Sequence, residues 1–140
     1  MTGSALPLAP AGAVIAERRH RVHQDLITRY AHASGDFNPL HLDPAFAATT
    51  PFGRTIAHGM MTLAFVSQAM RDWAGPSWEQ AGRLAVTFIA PVFAGDEVTV
   101  RVEVQDSSET EATCKVECWV GDRLMITGEA GISVEAVARG

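Results

Sequence analysis

The sequence predicts an α+β domain in which an antiparallel sheet wraps around one long buried helix. Three observations carry that expectation. Residues 59–73 hold only Thr62, Ser67 and Gln68 as polar side chains before Arg71, and a helix apolar on nearly every side is one buried on nearly every side. Val98, Val100, Val102 and Val104 alternate strictly with Thr99, Arg101, Glu103 and Gln105, the period of a half-buried strand. Helical patterns fill the first half of the chain and strand patterns the second, which separates α+β from an alternating α/β order.

The elements follow in order. Residues 1–12 are small and rich in Pro and Gly, and are expected to be a flexible N-terminal segment. The single domain is placed over residues 13–140 of the 140-residue chain. Residues 13–22 read as a first strand. Residues 23–33 read as a helix, with Leu26, Ile27, Tyr30 and Ala31 at helical spacing; Gly35 stops it, and a loop runs from Asp36 to His41. Asp43-Pro44 looks like an N-cap followed by proline at the first helical position, opening a short helix over residues 45–49. Pro51 to Arg54 makes a turn, and Gly59 opens the long helix.

After Gly75-Pro76 the period changes. Leu84, Val86 and Phe88 alternate with Ala85, Thr87 and Ile89. Pro91 and Gly95-Asp96 mark a turn before the valine strand. Ala112, Cys114, Val116, Cys118 and Val120 repeat the alternation, Gly121-Asp122 turns the chain, and residues 124–134 form a last strand with Gly128 and Gly131 as candidate bulges. The meander leaves sheet edges, which a second copy of the chain would cover, so a homodimer is expected.

Composition narrows the function. Hydrophobic residues make up 47% of the chain and charged residues 19%, enough for a core and too apolar for disorder. The formal net charge is −5. With no basic stripe, a nucleic-acid partner is excluded; the run Arg18-Arg19-His20-Arg21 reads as a solvated strand face. Cys114 and Cys118 lie four apart on a strand, so their Cα atoms stand ~13 Å apart, too far for a disulfide. Buried thiols in a reducing compartment follow. No basic n-region precedes the N-terminal residues and no apolar run reaches the ~20 residues of a membrane span. The expected location is cytoplasmic, with no membrane partner.

The chemistry concentrates between Ala33 and Met61. Asp36 and His41 stand five apart on a loop built from Gly, Asn and Pro. They read either as a turn residue and a satisfied histidine or as an acid/base pair converging on one water. Pro39 pushes Asn38 out of the α region, and Asn38 bonds the backbone locally, shaping the loop. Gly59 is a plain helix start, or a place where a ligand carbonyl reaches an exposed backbone N–H under the helix dipole. His58 is a second acid/base candidate, with loop packing as the simpler role. Ser67 either bonds back to the carbonyl of Leu63 or orients a catalytic side chain. Met60, Met61, Phe65 and Met70 read as core residues that also line an apolar tunnel. A metal reading of His32, Asp36, His41 and His58 matches no zinc spacing, so no metal is expected.

The run Ser34-Gly35-Asp36-Phe37-Asn38-Pro39-Leu40-His41-Leu42-Asp43-Pro44-Ala45-Phe46-Ala47 closely resembles the hydratase-2 motif of the MaoC-like dehydratase family. The resemblance continues through Thr55-Ile56-Ala57-His58-Gly59-Met60, the turn Pro91-Val92-Phe93-Ala94-Gly95-Asp96-Glu97-Val98, and Thr127-Gly128-Glu129-Ala130. It implies the hot-dog fold. Within the family the chain is most similar to short (R)-specific enoyl-CoA hydratases of polyhydroxyalkanoate and fatty-acid metabolism. It implies that Asp36 and His41 hold the catalytic water, that the Gly59 N–H is the oxyanion donor and that Ser67 belongs to the site. It also implies an acyl-CoA thioester substrate and no cofactor, CoA being part of the substrate. A 3-hydroxyacyl-ACP or -CoA dehydratase running the same equilibrium backwards, a hot-dog thioesterase, and a non-catalytic thioester-binding subunit are the competing readings; the intact Asp/His loop argues against the last two. Acyl chain length is not legible.

Overall fold

The computed structural model describes residues 6–134. The chain forms β1 (Val14–Arg21), α1 (Gln24–Ser34), α2 (Pro39–Leu42), α3 (Pro44–Ala47), α4 (Gly59–Ala74), α5 (Pro76–Ala81), β2 (Gly82–Phe88), β3 (Glu97–Ser107), β4 (Glu111–Val120) and β5 (Arg123–Ser133). The strands make one sheet in the order β1-β3-β4-β5-β2, with every neighbouring pair antiparallel. The α+β expectation holds.

Period-two alternation sets which face of the sheet is dry. Val98, Val100, Val102 and Val104 of β3 are all fully buried. Opposite them, Val116 pairs with Val102 and Cys118 with Val100. Met61, Val66, Ala69 and Met70 of α4 belong to the same core cluster. Each such aliphatic side chain contributes about 1.5–3 kcal/mol on burial.

Several expectations need correction. The helix α4 is buried on one side only: Met61, Thr62, Val66, Ala69 and Met70 face the core, while Gly59, Met60, Ala64 and Gln68 are exposed. Met60 is 61% exposed. The sheet covers one face of the helix, and none of the described residues covers the apolar stripe on the other. Gly128 and Gly131 are not bulges, because β2 and β5 pair without a shift from Gly82↔Ile132 to Phe88↔Ile126. At Gly128 the reason is close approach: a Cβ there would lie 2.1 Å from the Ala85 carbonyl oxygen. The bulges fall instead between Val14 and Ala16, Val104 and Asp106, and Cys118 and Trp119.

Residues 6–12 pack against the domain. Leu6 is in the core, its N–H donates to the Glu109 carbonyl, and the Gly12 N–H donates to the Val104 carbonyl; residues 1–5 lie outside the described residues. Two short helices escape the periodicity reading. In α2, Asn38 accepts from the Leu40 N–H and Pro39 sits in the first turn, so His41 stands on a helical turn rather than in a loop. In α5, Pro76 again fills the first turn, and Trp78 is the helix's buried residue. The predicted cap of α3 is present: the Asp43 carboxylate accepts from the Ala45 and Phe46 N–H groups.

Candidate active site

Ser34, Asp36, His41 and His58 meet at the N-terminal end of α4. Gly35 ends α1 in the left-handed region at φ 79°, with its N–H on the Ala31 carbonyl. The chain that follows is held by three successive side-chain to backbone bonds. Ser34 Oγ accepts from the Asp36 N–H at 3.2 Å, Asp36 Oδ1 from the Asn38 N–H at 3.2 Å, and Asn38 Oδ1 from the Leu40 N–H at 2.9 Å. Each is the local turn chemistry that Ser, Asp and Asn favour. With one carboxylate oxygen tied down, the other is aimed.

Asp36 Oδ2 stands 3.9 Å from His41 Nε2. That exceeds a direct hydrogen bond, and a water bonded to both groups would bridge it. The His41 ring is fixed from behind: Nδ1 lies 2.8 Å from the Ile56 carbonyl. A carbonyl only accepts, so Nδ1 carries the proton and Nε2 of the neutral ring faces Asp36 with a lone pair. His41 is nearly buried, its side chain 12% exposed, whereas the Asp36 side chain is 52% exposed.

His58 ties these parts together. Its ring stacks on His41 with centroids 3.9 Å apart. Its Nε2–H donates to the Asp36 main-chain carbonyl at 3.0 Å, and Tyr30 packs against it at 4.9 Å. His58 is also the N-cap residue of α4, so the next N–H, that of Gly59, opens the helix beside the pair. Four N-terminal N–H groups of any helix lack intrahelical acceptors; here the Gly59 N–H finds none among the described residues. A cavity of about 250 Å³ is lined by Asp36, His41, His58 and Gly59 with Tyr30, Ser34 and Met60. Gly59 also borders an apolar cavity lined by Phe52, Ile56, Phe88 and Ile89.

The structure therefore brings Asp36, His41 and Gly59 together. Asn38 lies beside them as a loop former, its side chain turned to the backbone. Ser67 is not in that cluster. Its Oγ accepts from Trp78 Nε1 at 2.8 Å, and among the described residues it makes no hydrogen bond to the Leu63 carbonyl, Asp36 or His41. It lines a separate cavity with Trp78 and Leu84, which meets the first at Tyr30 and Met60. Of the proposed tunnel residues, Met61 and Met70 are core, and the Phe65 ring stacks on His20. Among the residues of the metal reading, Asp36, His41 and His58 do come together, each with a potential ligand atom within 4.8 Å of the others; His32 instead meets the edge of Phe37.

Two supporting residues carried no local signal. Gln24 donates from Nε2 to the His41 carbonyl at 2.9 Å and accepts at Oε1 from Thr55 Oγ1 at 2.7 Å. It clamps α2 to the strand-like segment before α4. That segment is docked in turn by the Ala57 N–H on the Val92 carbonyl at 2.7 Å and an Ile56↔Phe93 bridge. This pairing joins the second and third runs of the family resemblance and holds the helix start in place. The cysteines are remote from this chemistry; burial on β4 pushes the thiols of Cys114 and Cys118 up to about 11 and about 12.

A sheet curled over one face of a central helix, with a polar site at that helix's N-terminus, defines a hot-dog domain. Comparison with known proteins agrees. Residues 7–122 match the MaoC like domain, and the chain belongs to that family. It is 42% identical over 112 residues to the (R)-specific enoyl-CoA hydratase of Aeromonas caviae, covering 77% of this chain and 83% of the relative. It is 38% identical over 111 residues to a 3-hydroxybutyryl-CoA dehydratase of Methylorubrum extorquens, covering 77% and 70%. The solved structure of the A. caviae (R)-hydratase involved in PHA biosynthesis superposes with a TM-score of 0.79 at 36% identity, over 91% of this chain and 98% of that one.

Proposed function

We propose that this protein is an (R)-specific enoyl-CoA hydratase, adding water reversibly to trans-2-enoyl-CoA to give (R)-3-hydroxyacyl-CoA. One observation carries the reading: Asp36 Oδ2 and His41 Nε2 face each other across 3.9 Å beside the unpartnered Gly59 N–H. The thioester carbonyl oxygen accepts from Gly59, which draws electron density out of the conjugated double bond and stabilises enolate character. Asp36 and the Nε2 lone pair of His41 are two acceptors for the two protons of one water, which leaves an oxygen lone pair for C3. As the C–O bond forms, the pair takes one water proton and returns one to C2. Both groups stand on one side of the double bond, so hydrogen and hydroxyl add to the same face. The steps are proton transfers at a carbonyl system and use no cofactor; CoA is the substrate's handle. The reverse direction, dehydration of the 3-hydroxyacyl thioester, uses the same groups, and the M. extorquens relative bears that name.

The finer assignments rest on separate features. A homodimer is supported by the uncovered stripe of α4 at Met60, by Phe88 and Ile89 at 50% and 51% exposure, and by the second edge of β2, which pairs only with β5. Among the described residues no helix is long and apolar enough to cross a membrane. The unpaired buried thiols fit a reducing cytoplasm, and the A. caviae relative's role in PHA biosynthesis supports a place in 3-hydroxyacyl supply. The test is direct: purified protein is mixed with crotonyl-CoA and longer enoyl-CoAs, and loss of the enoyl-thioester absorbance is followed. Folded protein that is silent across short and medium chains overturns the reading.

A further inference from the structure

We propose that His58 and Gln24 are positioning residues for the reaction: they hold the main-chain carbonyls of Asp36 and His41, and thereby fix the gap between those two side chains beside the Gly59 N–H. The kinetic part rests on the hydratase reading; the hydrogen bonds and ring tautomers do not. The Asp36 side chain is 52% exposed, and the bonds made by Ser34, Asp36 and Asn38 tie their loop only to itself. Among the described residues, the His58 Nε2–H on the Asp36 carbonyl, at 3.0 Å, is the one hydrogen bond from residues 36–38 to anything outside residues 34–41. The His41 carbonyl is held in the same way, by Gln24 Nε2 at 2.9 Å. Its ring donates from Nδ1 to the Ile56 carbonyl and stacks on His58.

All of these bonds lead to one short segment. Gln24 Oε1 accepts from Thr55 Oγ1 at 2.7 Å, His41 is tied to Ile56 and Asp36 to His58, and Gly59 is the next residue in the chain. The two proton-transfer groups and the oxyanion donor therefore share residues 55–58 as a common frame. His58 serves that frame in one tautomer only. Its Nε2 faces a carbonyl, which only accepts, so Nε2 carries the ring proton. Its Nδ1 is buried without a partner among the described residues, in a residue 3% exposed; a proton there would be an unsatisfied buried donor. His41 holds the opposite tautomer, with its proton on Nδ1. Hydration of the enoyl thioester leaves His58 and Gln24 chemically untouched, so what they contribute is geometry. A misplacement of about 1 Å at the reacting groups costs ~100-fold in rate.

The experiment compares the whole wild-type chain with His58→Phe, His58→Gln and Gln24→Met, using crotonyl-CoA hydration and Tm. Phenylalanine keeps a flat ring against His41 and Tyr30 and deletes the N–H. Glutamine gives up the ring and keeps an amide N–H for the Asp36 carbonyl. The expected result for His58→Phe is a kcat lower by roughly 10–100-fold with KM within about threefold of wild type, the pattern of a loss felt only in the transition state. His58→Gln recovers most of that loss. Gln24→Met, in the first turn of α1, shows the same fall in kcat at steady KM, and keeps the test decisive if the His58 variants do not fold. Long-range ¹H–¹⁵N spectra of the wild-type histidines read the tautomers directly, with the proton on Nε2 of His58 and on Nδ1 of His41. Wild-type kcat in His58→Phe or Gln24→Met overturns the proposal. So do equal kcat values in His58→Phe and His58→Gln, a change confined to KM, or a His58 protonated on Nδ1. A wild-type chain with both tautomers as stated that hydrates no enoyl-CoA overturns the hydratase reading, and the kinetic role with it, while the two carbonyl bonds stand.

Discussion

Replacing Gly59 with proline deletes one hydrogen-bond donor and little else. Gly59 is the first residue of α4, and its N–H has no protein acceptor among the described residues. Proline is well tolerated at that helical position. It also restricts the residue before it to extended backbone, and His58 is already there at φ −61°, ψ 131°. The new Cβ would meet Phe88 Cε1 at 3.1 Å, which needs a shift of a few tenths of an ångström from a ring that is 50% exposed. Gly59→Ala adds the same Cβ and keeps the N–H, so the pair separates sterics from the donor. Loss of one oxyanion donor costs about 2.7–4 kcal/mol of transition-state stabilisation, a fall of about 10²–10³ in kcat. Gly59→Pro is therefore expected to fold with a Tm close to that of Gly59→Ala and to hydrate crotonyl-CoA ~100-fold or more slowly than it. Equal rates in the two variants would refute the oxyanion role, whether both were fast or both slow.

Four further outcomes follow from other parts of the fold. Cys114 and Cys118, raised to about 11 and about 12 by burial, stay protonated and inert at pH 8; a thiol-alkylating reagent should label neither in the native protein and both in denaturant. The same shifts make the folded state hold its thiol protons longer than the unfolded chain, so stability from this source falls as pH rises above ~9. His20, stacked on Phe65, has its pKa lowered by burial and then by the Arg18 charge. The unfolded chain binds that proton more readily, so stability is full above the ordinary value of 6.5 and falls as pH drops below it; His20→Gln should flatten that slope in Tm between pH 7 and 5. Ser67→Ala leaves the indole N–H of Trp78, 8% exposed, without its partner, a loss of about 1–3 kcal/mol of stability. That loss should appear in the denaturant midpoint; unchanged stability with a collapsed kcat would put Ser67 in the catalytic cluster after all.

What the sequence made legible was whatever a short window determines. The β3 valines could face only one way, and Gly35, Asp43-Pro44 and Gly59 mark helix ends by backbone chemistry that neighbours do not alter. The short helices α2 and α5 were missed because four and six residues contain too few turns for a period to show, and their Pro-containing starts look like turns. The exposed face of α4 was missed for another reason: composition shows that a face is apolar, not what covers it. The site divides along the same line. Asp36, Asn38, His41 and Gly59 are readable because their motif is local. The Gln24–Thr55 clamp spans 31 residues, and the stacking of His58 on His41 and the Trp78–Ser67 bond depend on how distant segments dock. The partner of Ser67 within this chain, Trp78, lies on a helix that the periodicity does not reveal.

The central claim is that Asp36 and His41 hold one water on one face of the double bond and both take and return its proton there. Hydration of crotonyl-CoA in D₂O reads this out. The account predicts 3-hydroxybutyryl-CoA of (R) configuration at C3, with a single deuterium at C2 on the face that received the hydroxyl, and a rate that falls by orders of magnitude in Asp36→Asn and in His41→Ala. Anti addition, an (S) or racemic product, or deuterium on both faces of C2 would contradict it.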